Sequence, residues 1–200
     1  LENIRTLGFR GEALPSIASV SHLSMKTRRH DETSGYRVDV EGSQIHVKPA
    51  GTAPGTRIEV RSLFYDTTAR YNFLKSANTE QREIVELVSK TAIAHPHVAF
   101  HLRTAEKTLL QTTGRGKTID ALGEIYGWAH AQKLIPIEAD APWGTLTGYI
   151  SPPTLSRGNR SGYVLVLNGR VIKAPALTFG VERAYQGLLG HRRFPYIVLV

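Results

Sequence analysis

Between Thr79 and Ala94 the apolar residues Ile84, Val85, Leu87, Val88, Ala92 and Ile93 recur at helical spacing, which predicts one long amphipathic helix. Asn78 or Thr79 is placed to cap its start, and Pro96 to stop it. Short runs of alternating apolar residues flank this helix. His22 to Thr27, Gly35 to Glu41, Gln44 to Lys48 and Thr56 to Leu63 read as an antiparallel meander, with Gly42 and the Pro49 to Gly55 stretch as turns. Ala13 to Val20 suits a short helix, since Pro15 falls in its first turn, where proline is tolerated. On the far side of the long helix, Val98 to Thr104 and Lys107 to Thr112 are expected to complete the first sheet through a turn at Ala105 and Glu106.

The segment Thr112-Thr113-Gly114-Arg115-Gly116-Lys117 is polar and rich in glycine, and it marks the expected boundary between domains 1–112 and 113–200. The second part reads as a helix from Thr118 to Tyr126, strands Leu134 to Glu138, Thr145 to Ile150 and Tyr163 to Leu167, and a short strand Arg170 to Ile172. A helix from Ala176 to Leu189 and a last strand Tyr196 to Val200 follow. Asn168-Gly169 is a strong hairpin signal, because both central residues of a type I′ turn need positive φ. The mixture of runs of strands and helices places the chain in the α+β class. The first residue is Leu1, not Met, and patterned segments run to both ends, so the chain reads as a piece of a longer protein.

With 25 Lys and Arg against 17 Asp and Glu, the formal charge of +8 favours phosphate-bearing partners, nucleic acid or nucleotide. The absence of cysteine excludes disulfides, thiolate zinc sites and cysteine nucleophiles from these 200 residues. No apolar stretch approaches the ~20 residues that span a bilayer, so no membrane association is expected.

Gly8-Phe9-Arg10-Gly11-Glu12-Ala13-Leu14 frames a turn between two glycines and runs into the first helix. Unpaired N–H groups at a helix start, with the positive end of the helix dipole, favour a phosphate, and glycine lets the backbone approach its oxygens. A loop with no ligand has the same spacing, as does a nucleic-acid-clamping loop of the KH type. A second glycine-rich stretch imitates a P-loop, since Gly116-Lys117-Thr118 follows a strand and precedes a helix. The first glycine of that motif would have to stand at position 111, where this chain has Gln111, so the stretch is read as a linker. His95, His97 and His101 lack nearby carboxylates in sequence and are read as surface histidines, with no metal site expected.

The string from Thr6 to Ser21 closely resembles the third nucleotide-site motif of the MutL family of DNA mismatch repair proteins. The resemblance continues through Gly55-Thr56-Arg57-Ile58-Glu59-Val60, then Leu63-Phe64-Tyr65-Asp66-Thr67-Thr68-Ala69-Arg70-Tyr71-Asn72-Phe73-Leu74-Lys75, then Val166-Leu167-Asn168-Gly169-Arg170. This chain has Asp66-Thr67-Thr68-Ala69-Arg70 where the family usually reads Asn-Thr-Pro-Ala-Arg, and Tyr71-Asn72 where a basic pair is common.

The resemblance implies that residues 1–112 are the later part of a GHKL (Bergerat-type) ATPase α/β sandwich, and that 113–200 are a ribosomal protein S5 domain 2-like transducer domain, truncated at its C-terminal end. It assigns nucleotide binding to Gly8, Phe9, Arg10, Gly11, Glu12, Ala13 and Leu14 at the β- and γ-phosphates, and to Thr56 near the adenine. Arg70 and Phe73 are read as packing residues. By the same resemblance the general-base Glu, the Mg²⁺-binding Asn and the adenine-binding Asp would precede Leu1, and a lysine reaching the γ-phosphate would follow Val200. No catalytic residue is therefore expected within this chain. The intact protein would use ATP and Mg²⁺, whereas this piece is expected to bind neither stably.

Basic residues gather as Lys26, Arg28 and Arg29, as Arg157 and Arg160 in a loop of Gly and Ser, as Arg170 and Lys173, and as His191-Arg192-Arg193. Arg170, Lys173, Arg157 and Arg160 are the expected DNA contacts, the first two leading because in similar proteins that domain lines a DNA-binding groove. Implied partners are DNA, a MutS-type mismatch recognition protein, and a second copy or paralogue through the N-terminal domains, in the cytoplasm or the nucleus. Two other readings stay open: a type II topoisomerase-like GHKL ATPase subunit, and a non-enzymatic DNA-binding scaffold module.

Overall fold

Residues 11–142 and 144–200 are described by the computed structural model. The chain divides into two compact units, one holding residues 8–76 and the other 77–200.

In the first unit, helix α1 (Ala13–Ala18) leads into strands β1 (His22–Arg28), β2 (Gly35–Glu41), β3 (Gln44–Ala50) and β4 (Gly55–Arg61), and a short helix α2 (Thr68–Asn72) follows. The sheet order is β3-β2-β1-β4, so the expected meander holds only for its first three strands. β4 returns to the free edge of β1, where Met25 faces Ile58 and Leu23 faces Val60. These apolar cross-strand pairs reward that edge over the outer edge of β3. Alternation gives the sheet one apolar face, built from Leu23, Met25, Tyr36, Val38, Val40, Ile45, Val47, Ile58 and Val60. Ile45 and Val47 are 65% and 62% exposed, the condition of a sandwich face that takes a helical layer.

In the second unit, α3 (Ala77–Ala94) is the long helix that the periodicity predicts, starting two residues before Thr79. β5 (His101–Arg103) and β6 (Thr108–Gln111) pair with each other alone, in a separate two-stranded sheet and not in the first sheet as the sequence suggested. The cause lies just beyond β6. The Thr112 N–H donates to the Phe100 carbonyl at 2.8 Å and the Thr112 Oγ1 accepts from the Phe100 N–H at 3.0 Å, which ties the hairpin back on itself. The glycine-rich segment is anchored too, with Thr113 bonded to the Glu124 carboxylate and the Gly116 N–H donating to the Pro96 carbonyl.

Helices α4 (Thr118–Tyr126) and α5 (Trp128–Ala131) precede β7 (Ile135–Ala141), β8 (Gly144–Ile150), β9 (Ser156–Arg157), β10 (Tyr163–Leu167) and β11 (Arg170–Ile172). Helix α6 (Pro175–Ala184), β12 (Phe194–Pro195) and β13 (Ile197–Leu199) close the chain. α6 stops short of the predicted Leu189 because Tyr185 leaves helical geometry and Gly187 turns to φ +80. The five-stranded sheet runs β11-β10-β13-β8-β7, with β10 and β13 parallel at its centre. Central parallel strands are covered on both faces and need unbroken apolar runs, which Tyr163-Val164-Leu165-Val166-Leu167 and Tyr196-Ile197-Val198-Leu199 supply. Val164, Val166 and Val198 pack with Ile93 and Leu122 on one side, while Tyr163, Leu165, Ile197 and Leu199 pack with Val181 and Tyr185 on the other.

Gly148 on β8 lets β13 approach. A Cβ there would lie 1.8 Å from the Val198 carbonyl oxygen, at a φ of +154. Gly148→Ala is therefore expected to destabilise the chain by about 3 kcal/mol, because the contact is with backbone at a position that cannot yield. Thermal unfolding followed by circular dichroism checks this, with a fall in Tm of roughly 10 °C expected.

Candidate functional site

Of the predicted phosphate-facing turn, Gly8, Phe9 and Arg10 lie outside the described residues. Gly11 holds φ +67 with open space where a side chain would stand, and Glu12 follows as the residue that caps α1. The helical ladder begins with the Ser16 N–H donating to the Glu12 carbonyl at 3.0 Å. The N–H groups of Ala13 and Leu14 precede that first bond, and Pro15 has none, so these two donors point out of the helix start. Behind them the turn is anchored, since Ser21, fully buried, donates through its hydroxyl to the Ile17 carbonyl at 2.7 Å. The Phe64 N–H donates to the Val20 carbonyl at 2.7 Å.

Thr56 belongs to the same compact unit, on the apolar face of the sheet beside Ile58 and Val60. Its hydroxyl shares a 2.8 Å hydrogen bond with that of Thr27, directly opposite on β1. Arg70 and Phe73 do not pack: both are exposed, Phe73 by 86%, because α2 ends at Asn72 and Phe73 sits beyond it as the capping residue.

The predicted DNA contacts all fall in the second unit. Asn168 and Gly169 take φ +49 and +78, the I′ turn that their sequence demands, and set Arg170 at the start of β11. Lys173 follows that strand and is exposed. Arg157 and Arg160 are not on a free loop. The Arg160 guanidinium makes two bonds to the Glu182 carboxylate, of 2.5 and 3.0 Å, and lies 5.1 Å from the Phe194 ring centre. Arg157 lies over the Tyr196 and Tyr126 rings at 5.3 and 6.0 Å. Arg160 and Lys173 share the lining of a cavity of about 700 Å³ with Lys90, Glu86, Glu182 and Tyr163. Lys90 and Glu182 went unread in the sequence, since only folding brings α3 and α6 to the same opening. Among the described residues no group of three His, Cys, Asp or Glu is placed to hold a metal, and the His95 and His97 rings meet edge to face at 5.8 Å.

Known proteins share this architecture. Residues 122–200 match the family described as DNA mismatch repair protein, C-terminal domain. Over all 200 residues the chain is 44% identical to the DNA mismatch repair protein MutL of Listeria welshimeri. The chain is similar along its whole length to proteins of the MutL family. It spans 33% of the length of that relative. The solved Aquifex aeolicus MutL ATPase domain complexed with ADP matches 95% of this chain and 70% of its own, with a TM-score of 0.74 and 28% identity. The N-terminal domain of a DNA repair protein has the same fold, with a TM-score of 0.82 over 98% of this chain and 65% of its own at 19% identity. The mixed helix and sheet architecture is thus that of the family's ATPase domains, with an S5-like fold in the later residues. Among the described residues no helix is long and apolar enough to cross a membrane.

The burial of Tyr126 is measurable in alkali. Burial pushes the Tyr126 phenol up from 10.0 to about 12, outweighing the opposing pull of the Arg157 charge. A folded-state value above the unfolded one means that this contribution is whole below pH 10 and is lost as pH rises from 10 to about 12. Tyr126→Phe is expected to flatten that limb, by at most on the order of 2 to 3 kcal/mol, in denaturant melts run between pH 9 and pH 12.

Proposed function

We propose that this chain supplies the phosphate-facing turn and a DNA-contacting hairpin of an ATP-dependent matchmaker, which couples mismatch recognition to strand incision. The observation that carries the reading is the start of α1, where Gly11 at φ +67 leads into a helix whose first-turn donors at Ala13 and Leu14 precede the hydrogen-bond ladder. ATP supplies the phosphoryl group and the charge. On this reading Gly8 to Leu14 form the turn over its β- and γ-phosphates, the N–H groups of Ala13 and Leu14 donating to phosphate oxygens, and Thr56 takes the adenine end. Among the described residues no group of three His, Cys, Asp or Glu is placed to hold Mg²⁺.

Hydrolysis needs an oriented water and neutralisation of the transferred charge. Since the groups that supply these lie in other segments of similar proteins, the 200-residue chain by itself is read as inert. Closing the turn on bound phosphates favours the ordered state, and ligand biases dimerisation through that preference. The partners on this reading are a second copy or paralogue, a MutS-type mismatch recognition protein, and DNA held through Arg170 and Lys173, with Arg157 and Arg160 behind them. Sequence domains 1–112 and 113–200 remain our reading of the chain's organisation, supported for the second by the family match over 122–200.

In the full-length protein, Gly11→Val forces a β-branched residue into positive φ. ATP affinity, measured by equilibrium dialysis, is expected to fall at least about tenfold, a loss of ~1.4 kcal/mol. ATP-dependent association, followed by light scattering, is expected to disappear with it. An unchanged affinity would remove the turn from the nucleotide site. Arg170→Glu with Lys173→Glu is expected to reduce the slope of log affinity for DNA against log salt by about 2, one for each lost phosphate contact.

A further inference from the structure

The face of the four-stranded sheet opposite its apolar side carries a row of positive charges. Register places Lys48 on β3 opposite Arg37 on β2, Arg37 opposite Lys26 on β1, and Lys26 opposite Arg57 on β4. One cation from every strand thus stands on a single rung, a straight line of roughly 14 Å at the usual strand separation. Like charges directly opposite destabilise a sheet, and a merely solvated polar face satisfies itself by alternating signs across the strands.

Two of the four cations have carboxylate partners two residues along their own strands, Arg37 with Asp39 at 2.8 Å and Arg57 with Glu59 at 2.7 Å. Glu59 is shared with Arg61 at 2.9 Å. Hydrogen bonds from Ser24 and Arg37, with the nearby charges of Arg37 and Lys48, hold the Asp39 carboxyl below its ordinary range, and the Arg57 and Arg61 guanidinium groups do the same for Glu59, so both stay ionised. Among the described residues no carboxylate lies within ion-pair distance of Lys26 or Lys48. Lys26 is half-buried between its two arginine neighbours, and Lys48 is exposed. Across the whole face Lys26, Arg28, Arg37, Lys48, Arg57 and Arg61 outnumber Asp39, Glu41 and Glu59.

We infer that the Lys48-Arg37-Lys26-Arg57 rung is a docking strip for the sugar-phosphate backbone of duplex DNA, distinct from the Arg170 and Lys173 hairpin. Charge complementarity selects the occupant. A linear array of fixed cations matches the closely and evenly spaced phosphates of a duplex. Single strands are held by aromatic platforms as well as charge, and the strands of this face carry, among the described residues, only the rings of His22 and His46, the first already met edge to face by Tyr65. The contact positions without reading sequence, because it reaches phosphates and no base edge. It lies in the unit of residues 8–76, whereas the hairpin lies in 77–200, so the two are separable by mutation.

The test is anisotropy of a fluorescent duplex titrated with the 200-residue chain at several salt concentrations. Lys26→Gln with Lys48→Gln is expected to lower the salt slope by about 2, since each phosphate contact contributes ~0.9. The same variant is expected to melt at or above the parent Tm, because like-charge repulsion is relieved. Lys26→Arg with Lys48→Arg is expected to keep the parent slope. Loss of slope in the Gln variant while Arg170→Glu with Lys173→Glu changes nothing supports the strip and removes the hairpin. An unchanged slope in the Gln variant overturns the strip, whatever the hairpin variant does. No duplex binding by the parent chain at 50 mM salt overturns it, as does more effective competition by single-stranded RNA or polyglutamate than by unlabelled duplex.

Discussion

The parallel pairing of β10 and β13 is the constraint on which the second unit depends. Two strands with both faces covered cannot tolerate a polar residue on either, and Val164 and Val198 are wholly enclosed. The placement of every neighbour derives from that. Helices α3 and α4 cover one face, α6 covers the other, and β8 comes close enough to β13 only because Gly148 has no side chain. The irregular connection before β10 is held to the core by buried Ser151. Its hydroxyl donates to the Leu155 carbonyl at 2.7 Å and accepts from the Tyr196 N–H at 3.0 Å. Since β11 pairs with β10, the hairpin that presents Arg170 and Lys173 inherits its position from the buried centre of the sheet.

The partners that folding supplies explain why cations that look alike in sequence differ in character. Arg157 and Arg160 sit where the loop before β10 crosses the ends of β12 and α6, and there they meet Tyr196, Phe194 and Glu182. Their charge is engaged within the fold. Lys173 emerges past the end of β11 and meets solvent. In the other unit the sheet has two unlike faces, one apolar and carrying Thr56, one charged and carrying the rung of cations. A one-residue shift of any strand would exchange the two sets, so register alone keeps them apart.

Much of this was legible in the sequence because local physics decides it. The apolar period of α3, the Asn168-Gly169 turn, the alternation of β1 to β4 and the continuous apolar runs of β10 and β13 all act within a few residues. What escaped depended on distant partners. β4 joins β1 and not β3, the β5–β6 hairpin stands alone, and Thr112 and Thr113 find their partners in Phe100 and Glu124. β9 and β12 have two residues each, too few to show any period. At the site, the glycine-framed turn could be found from its letters. The engagement of Arg160 by Glu182 could not, because 22 residues and a hairpin separate them.

By itself the sequence determined the family resemblance, the kind and order of most elements, and the residue types that face phosphate, since motif, period and turn chemistry are properties of contiguous chain. Only the tertiary structure decided which strands are neighbours, which arginines are already paired, and that Lys48, Arg37, Lys26 and Arg57 share one rung. The physical reason is that cross-strand register is set by apolar pairs on the opposite face, Met25 with Ile58 and Val38 with Val47 among them. No reading of the charged residues alone contains those pairs.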